Sequence, residues 1–362
     1  MARVALALAI AVPLWPAKKK KEEETQILQL PRELPAAVVG ETRRLAVYVT
    51  PLSAKGLLSQ QVRDALKALD KQSRGNSTLH IRAFVAGSGD LRRVRDLVSE
   101  TFTERRLPLP ALSLIQAGGL PLEGAQIVLE AVAGAKKDAQ PAVAFFSAEA
   151  ISSPNPRDSL APLIEKSLAA LQHNLAVSGA NAGDMLRVTC FLSSLDNAAA
   201  TRARLQQDYP RAALNFVQTQ RAPQSALAAC EGVAGLQKSP GKRLELLGAN
   251  GKPPDGGGSQ IALIGAPHVV LTGTQVSFGF QEQDGRLALD RLGKAMEPLG
   301  VSRADVAFTH FYPLSAQLEN QVRALSRAFF NTGPAPAGSA LPVEGLSSQD
   351  AGFAVEAVAV KD

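Results

Sequence analysis

Aromatic residues are scarce, at 5% of 362 residues with a single tryptophan. Because 46% of the chain is still apolar, its cores must be built mostly from Ala, Leu and Val. Cysteine occurs twice, as Cys190 and Cys230, which excludes a small disulfide-stapled scaffold. Both cysteines fall in expected strands, where a bridge and two buried thiols both fit. The four histidines, His80, His173, His268 and His310, have no ligand-like spacing with cysteine or acidic residues, so no metal site is expected. The run G-K-P-P-D-G-G-G-S-Q at 251–260 lacks the Lys-Ser/Thr pair and the strand-to-helix turn of a phosphate loop. No serine stands in a G-x-S-x-G elbow. Nothing calls for a cofactor.

Long hydrophobic runs are also missing, apart from V-A-L-A-L-A-I-A-V-P-L-W after a basic start. That run has the size of a signal-peptide core and is too short to span a bilayer. The reading is therefore a signal segment over 1–17, a hydrated charged tether over 18–42 containing K-K-K-K-E-E-E, and a periplasmic or secreted protein. No membrane span is expected once the signal is removed. The net charge of +6 is modest for this length. Clusters such as Arg92-Arg93-Val94-Arg95 carry no aromatic interleaving, so they read as solvated helix faces rather than a nucleic-acid surface.

What the sequence does contain is a repetition. L-E-A-V-A at 129–133, C-E-G-V-A at 230–234 and V-E-A-V-A at 355–359 are three apolar strands, each with one embedded acid: Glu130, Glu231 and Glu356. Before each, the same order of elements can be read. The first copy has a strand over 43–52, a helix over 57–72, a strand over 78–87 and a helix over 91–102 capped by Asp90. The second has a strand over 142–151, a helix over 160–179, a strand over 184–195 and a helix over 197–209. In the third, H-V-V-L-T-G-T-Q is followed by a helix over 286–300, a strand over 304–314 and a helix over 315–330. A unit of roughly 100 residues is far longer than a solenoid repeat and suits a small α+β domain with two helices on one face of a sheet. The expected domains are 43–135, 141–236 and 261–362, with a linker over 237–260. The three glutamates read most simply as structural strand-end residues that satisfy a neighbouring backbone or helix terminus.

The run D-M-L-R-V-T-C-F-L-S-S-L-D-N (184–197), the turn Y-P-R-A-A-L-N-F (209–216), V-V-L-T-G-T-Q (269–275) and P-A-G-S-A-L (336–341) together resemble the RidA (YjgF-type) family, also labelled endoribonuclease L-PSP. The resemblance covers residues 43–361 in three segments. It implies three tandem chorismate-mutase-like α+β domains. The family assembles as a homotrimer with clefts between subunits, so one chain carrying three copies would fold as an intramolecular pseudo-trimer.

The resemblance also implies an imine deaminase chemistry. An arginine in a P-A-R-S turn holds the substrate carboxylate, and an acid on the last strand positions water for attack on the C=N carbon. At the arginine position the first copy has Leu112 and the third Gly338. In the second, a one-residue gap aligns Arg211 with it, whereas ungapped alignment puts Leu214 there. The acid position, two residues before each retained glutamate, holds Val128, Ala229 and Ala354. The expected function is a degenerate pseudo-trimer that binds a small ligand or a partner at its clefts. The alternative is a deaminase for 2-imino acids with one working cleft at Arg211. RNA processing, suggested by the older family label, ranks last.

Overall fold

The computed structural model describes residues 31–362 apart from residues 88, 255–257 and 332. The expected signal segment at 1–17 and tether residues 18–30 lie outside the described residues. In chain order the elements begin with β1 (Ala37–Glu41), β2 (Leu45–Val49), α1 (Leu58–Ser73), β3 (Ser77–Ala86), α2 (Leu91–Glu104), β4 (Ala111–Ala117) and β5 (Ile127–Gly134). Then come β6 (Ala142–Phe146), β7 (Ile151–Ser153), α3 (Ala161–Val177), β8 (Met185–Leu192), α4 (Ala198–Asp208), β9 (Ala213–Gln218), β10 (Ala226–Leu236) and β11 (Leu244–Leu247). The remainder is β12 (Gly258–Ser259), β13 (Ile261–Ile264), β14 (His268–Thr272), β15 (Gln275–Phe278), α5 (Glu282–Met296), β16 (Val306–Pro313), α6 (Ala316–Phe329), β17 (Ala335–Ala340), β18 (Gly345–Leu346) and β19 (Ala351–Lys361). Asp90 caps α2 as its position before the amphipathic run requires, accepting from the backbone N–H of Arg92 at 2.9 Å and of Arg93 at 3.3 Å.

These elements form three mixed sheets that pack together within the unit Pro31–Asp362. The first runs β18-β4-β3-β5-β2, the second β11-β13-β6-β10-β8-β9 with β7 beside β10, and the third β1-β14-β19-β16-β17-β12 with β15 beside β19. Each has two helices against one face: α1 and α2 over the first, α3 and α4 over the second, α5 and α6 over the third.

The central strands show why their sequences are so apolar. In β10 every residue is buried, because one face meets helices and the other meets the neighbouring sheets. Alternation along the strand separates the two faces. On β5, Leu129 and Ala131 join the core beneath α1 and α2, whereas Val128 and Val132 turn towards the other sheets. The inward faces of the three acidic strands are matched: Val128, Glu130, Val132 on β5; Ala229, Glu231, Val233 on β10; Ala354, Glu356, Val358 on β19. The recurring glutamate is therefore an inward-facing residue in the middle of a buried strand.

Sheet boundaries depart from the expected segment boundaries at several places. Residues 37–41, expected in the tether, form β1 and pair antiparallel with β14. Residues 244–247, expected in the linker, form β11 against β13. β13 itself, expected with the third segment, pairs with β6 of the second sheet, Ile261 opposite Phe146. β18, from the third segment, pairs with β4 of the first. A two- to five-residue apolar run specifies a buried face, not a partner, so the open edge it meets in three dimensions decides the pairing.

Cys190 and Cys230 are directly opposed on β8 and β10 and form a disulfide, both fully buried beneath α3 and α4. The bridge closes a separation of 40 residues, for which chain entropy gives about 4 kcal/mol of stabilisation. The double variant Cys190→Ala/Cys230→Ala should accordingly unfold at lower urea. An unchanged midpoint, with the wild-type protein kept oxidised, would refute a stabilising role.

Candidate functional site: a buried charge cluster where three sheets meet

The strand registers bring six positions together. Arg82 pairs with Glu130 across β3 and β5, Thr189 with Glu231 across β8 and β10, and His310 with Glu356 across β16 and β19. On the parallel side the same three residues sit beside Ser113, Asn215 and Ser339. Each glutamate reaches across to the next sheet. Glu130 accepts from Thr189 Oγ1 at 2.5 Å and Asn215 Nδ2 at 2.7 Å. Glu231 meets His310 Nδ1 at 3.1 Å and accepts from Ser339 Oγ at 3.4 Å. Glu356 accepts from Ser113 Oγ and lies 3.6 Å from Arg82 Nη1. The first sheet thus grips the second, the second the third, and the third the first, which closes a ring.

Arg82 is the hub of that ring. Its Nε donates to Glu130 Oε2 at 2.8 Å, its Nη2 to Glu231 Oε1 at 2.9 Å, and its Nη1 faces Glu356. Arg187, two residues before Thr189, donates to Glu231 Oε1 at 2.8 Å and to Glu130 Oε2 at 3.3 Å. Tyr312 Oη donates to Glu356 Oε1 at 2.8 Å. His80 Nε2 lies 3.5 Å from Glu356 Oε2 and 3.1 Å from Ser113 Oγ. All these side chains are buried.

Burial disfavours charge on each group, and the local partners decide the outcome. Burial would raise the Glu130 carboxyl, but Arg82 and Arg187 outweigh it and hold the group at about 2. Burial likewise opposes the charge on Glu356, yet His80 and Arg82 keep it well below the usual carboxylate range. His310 is pushed down to about 4, chiefly by burial; Glu231 opposes this shift and Arg82 adds to it. Burial and the Glu356 charge drive Tyr312 well above its ordinary value. Glu130 and Glu356 are therefore ionised beside the Arg82 guanidinium, while the His310 imidazole and the Tyr312 phenol are neutral.

One side of this polar layer is apolar: Phe84, Phe191, Val128, Ala229 and Ala354 belong to a single core with Tyr312. The other side holds a cavity of about 40 Å³ lined by His80, Arg82, Arg187, Phe308, His310 and Glu356. Such a volume suits water and is well below the roughly 300 Å³ of an organic-ligand pocket. Arg187 Nε and His310 Nε2 are buried without a hydrogen-bond partner among the described residues.

The structure sorts the sequence-expected residues clearly. Glu130, Glu231 and Glu356 come together, but they bind side chains rather than a backbone or helix terminus. Val128, Ala229 and Ala354, at the expected acid position, pair with Phe84, Phe191 and Tyr312 in the apolar layer. The β8–β9 register sets Asn215 beside Thr189 as Ser113 sits beside Arg82, so Leu214 is the structural counterpart of Leu112 and Gly338. Arg211 lies elsewhere, its guanidinium donating to the Gly183 carbonyl. At Gly338 no side chain fits, because a Cβ would collide with the Thr309 carbonyl. Each of the three positions opens on its own cleft: about 450 Å³ at Leu112, 510 Å³ at Leu214 and 150 Å³ at Gly338.

Sequence reasoning did not single out Arg82, Arg187, Thr189 or Tyr312. The signal was there in H-I-R-A-F, R-V-T-C-F and F-T-H-F-Y, three strands whose inward residues are two polar or aromatic groups followed by a ring.

No family model matches the sequence, and no curated protein matches it. Solved structures that resemble parts of the chain belong to the YjgF/Rid family. A member of the YjgF/YER057c/UK114 family from Mycobacterium tuberculosis is 23% identical, covers 26% of this chain and 79% of its own, and has a TM-score of 0.25. YyfB of the Rid family from Yersinia pestis is 18% identical over 33% of this chain and 100% of its own, with a TM-score of 0.31. The yjgF gene product of Escherichia coli is 23% identical over 26% of this chain and 81% of its own, with a TM-score of 0.25.

Proposed function

We propose that this chain is an exported pseudo-trimer of RidA type that has lost the family's imine chemistry and serves as a small-ligand-binding or partner-binding scaffold. The observation that carries the reading is the pair of position sets defined by strand register. Leu112, Leu214 and Gly338 stand where a carboxylate anchor is needed, and Val128, Ala229 and Ala354 stand where a water-positioning acid is needed. None of the six can donate a charged hydrogen bond or take a proton. The closed ring of glutamates supports a pseudo-trimer, since each third supplies an acid to the next and receives one in return.

Ammonia release from 2-iminobutanoate generated in situ tests this reading. The protein is expected to hydrolyse it no faster than buffer. Enzymatic turnover abolished by Arg211→Ala would instead establish a deaminase with a single working cleft. The periplasmic or secreted location is tested by fractionating cells and determining the N-terminal residue of the mature protein.

A further inference from the structure

The three clefts share a feature beyond the strand positions. Arg95 on α2, Arg202 on α4 and Arg323 on α6 each follow a matched buried residue, Val94, Thr201 and Val322, and each lines its cleft. Their surroundings differ. Arg323 is discharged by Glu319, whose Oε1 accepts from its Nε at 3.0 Å and its Nη2 at 2.7 Å. Arg95 shares its cleft with Arg92, Arg291 and Glu33.

Among the described residues, Arg202 has neither a paired acid nor a charged neighbour in its cleft. The guanidinium stacks on the Phe216 ring, 4.8 Å from the centroid, and Nη1 donates to the Leu214 carbonyl at 3.4 Å. Of the five N–H donors in the group, the other four have no hydrogen-bond partner among the described residues. The 510 Å³ cleft around it is otherwise neutral, walled by Val49, Pro51, Leu52, Leu195 and Leu214. A half-buried cation with free donors and no counter-ion is an incomplete arrangement. Desolvation weakens its hold on the proton, and a bound anion would reverse that penalty.

We propose that the cleft between β2, β9 and α4 binds an amphiphilic monoanion, its carboxylate or equivalent oxyanion on Arg202 and its apolar body against Leu52, Leu195 and Leu214. The planar fork suits a two-oxygen head group. The neutral walls admit one charge and no second. This assignment rests on the reading that the clefts, rather than the buried charge cluster, take ligands.

Isothermal titration of the folded chain with octanoate, octan-1-ol and acetate tests it. Expected are saturable octanoate binding at one site per chain, no measurable binding of octan-1-ol or acetate, and at least a roughly tenfold loss of octanoate affinity in Arg202→Gln. Arg202→Lys, which keeps the charge but not the fork, should fall between the two and supports the test if the glutamine variant is unstable. Octanoate binding that is absent, or equally tight in Arg202→Gln and Arg202→Lys as in the wild type, overturns the proposal. The ammonia assay reads the scaffold-versus-enzyme question separately, so either can fail alone.

Discussion

Arg82→Met is expected to destabilise the protein by roughly 5 kcal/mol, the upper end of what breaking a buried ion pair costs. The reason is the number of charges that depend on it. Arg82 contacts Glu130, Glu231 and Glu356, one from each sheet; without it Glu130 and Glu231 keep only the guanidinium of Arg187, and Glu356 keeps no guanidinium among the described residues. Methionine fills much of the vacated volume, so the loss reports charge rather than a cavity. In a melting experiment the change should lower the midpoint by roughly 10 °C. Adding Glu130→Gln to Arg82→Met should recover part of the loss, because one uncompensated charge is removed, and a double-mutant cycle will then show strong coupling. If Arg82→Met unfolds within about 1 kcal/mol of wild type, the cluster does not hold the sheets together.

Acid should weaken the same junction in two steps. His310 has a folded-state value of about 4 against 6.5 for a free imidazole. Between those values the unfolded chain binds a proton that the folded chain refuses, so stability falls as the pH drops from about 6.5 to about 4. Glu130, at about 2 against 4.5, contributes stability that is complete above the unfolded value and is lost as the pH falls from about 4.5 towards 2. Each shift corresponds to on the order of 3 kcal/mol. The groups facing His310 are Glu231, Glu356, Arg82, Arg187 and Tyr312, and Glu356 is held well below the usual carboxylate range by His80 and Arg82. Urea midpoints measured at intervals from pH 7 to pH 3 should decline throughout. In His310→Asn the decline between 6.5 and 4 should be shallower, and an identical slope in that variant would remove His310 from the account.

The buried centre joins three sheets by charge, and its adjoining cavity of about 40 Å³ is far smaller than the clefts of about 450 and 510 Å³ at Leu112 and Leu214. Asn215 belongs to both: it donates to Glu130 and lines the cleft that holds Arg202.

Much of this was legible in the sequence. Two-residue alternation marked the first strand, helical spacing set Leu58, Val62, Ala65, Leu66 and Leu69 on one face of α1, where all but the half-buried Leu58 are buried, and Asp90 marked the start of α2. These are local consequences of backbone geometry, and a single chain states them without help. The threefold return of an acid in an apolar strand was legible as well, but its partners were not. A buried glutamate announces a need for donors, and the sequence does not say which of many distant residues supply them. Arg82, Thr189 and His310 occupy equivalent strand positions with unlike side chains, so similarity alone could not align them; the β-ladder registers did. The same holds for Leu214, which shares its register position with Leu112 and Gly338 through the pairing of β8 with β9, whereas the sequence reads as Arg211 with a one-residue gap and as Leu214 without it. The pairings of the short strands β1, β11, β13 and β18 were decided by tertiary structure too, because a short apolar run carries its preferred face in its sequence and finds its partner only when the sheets are packed.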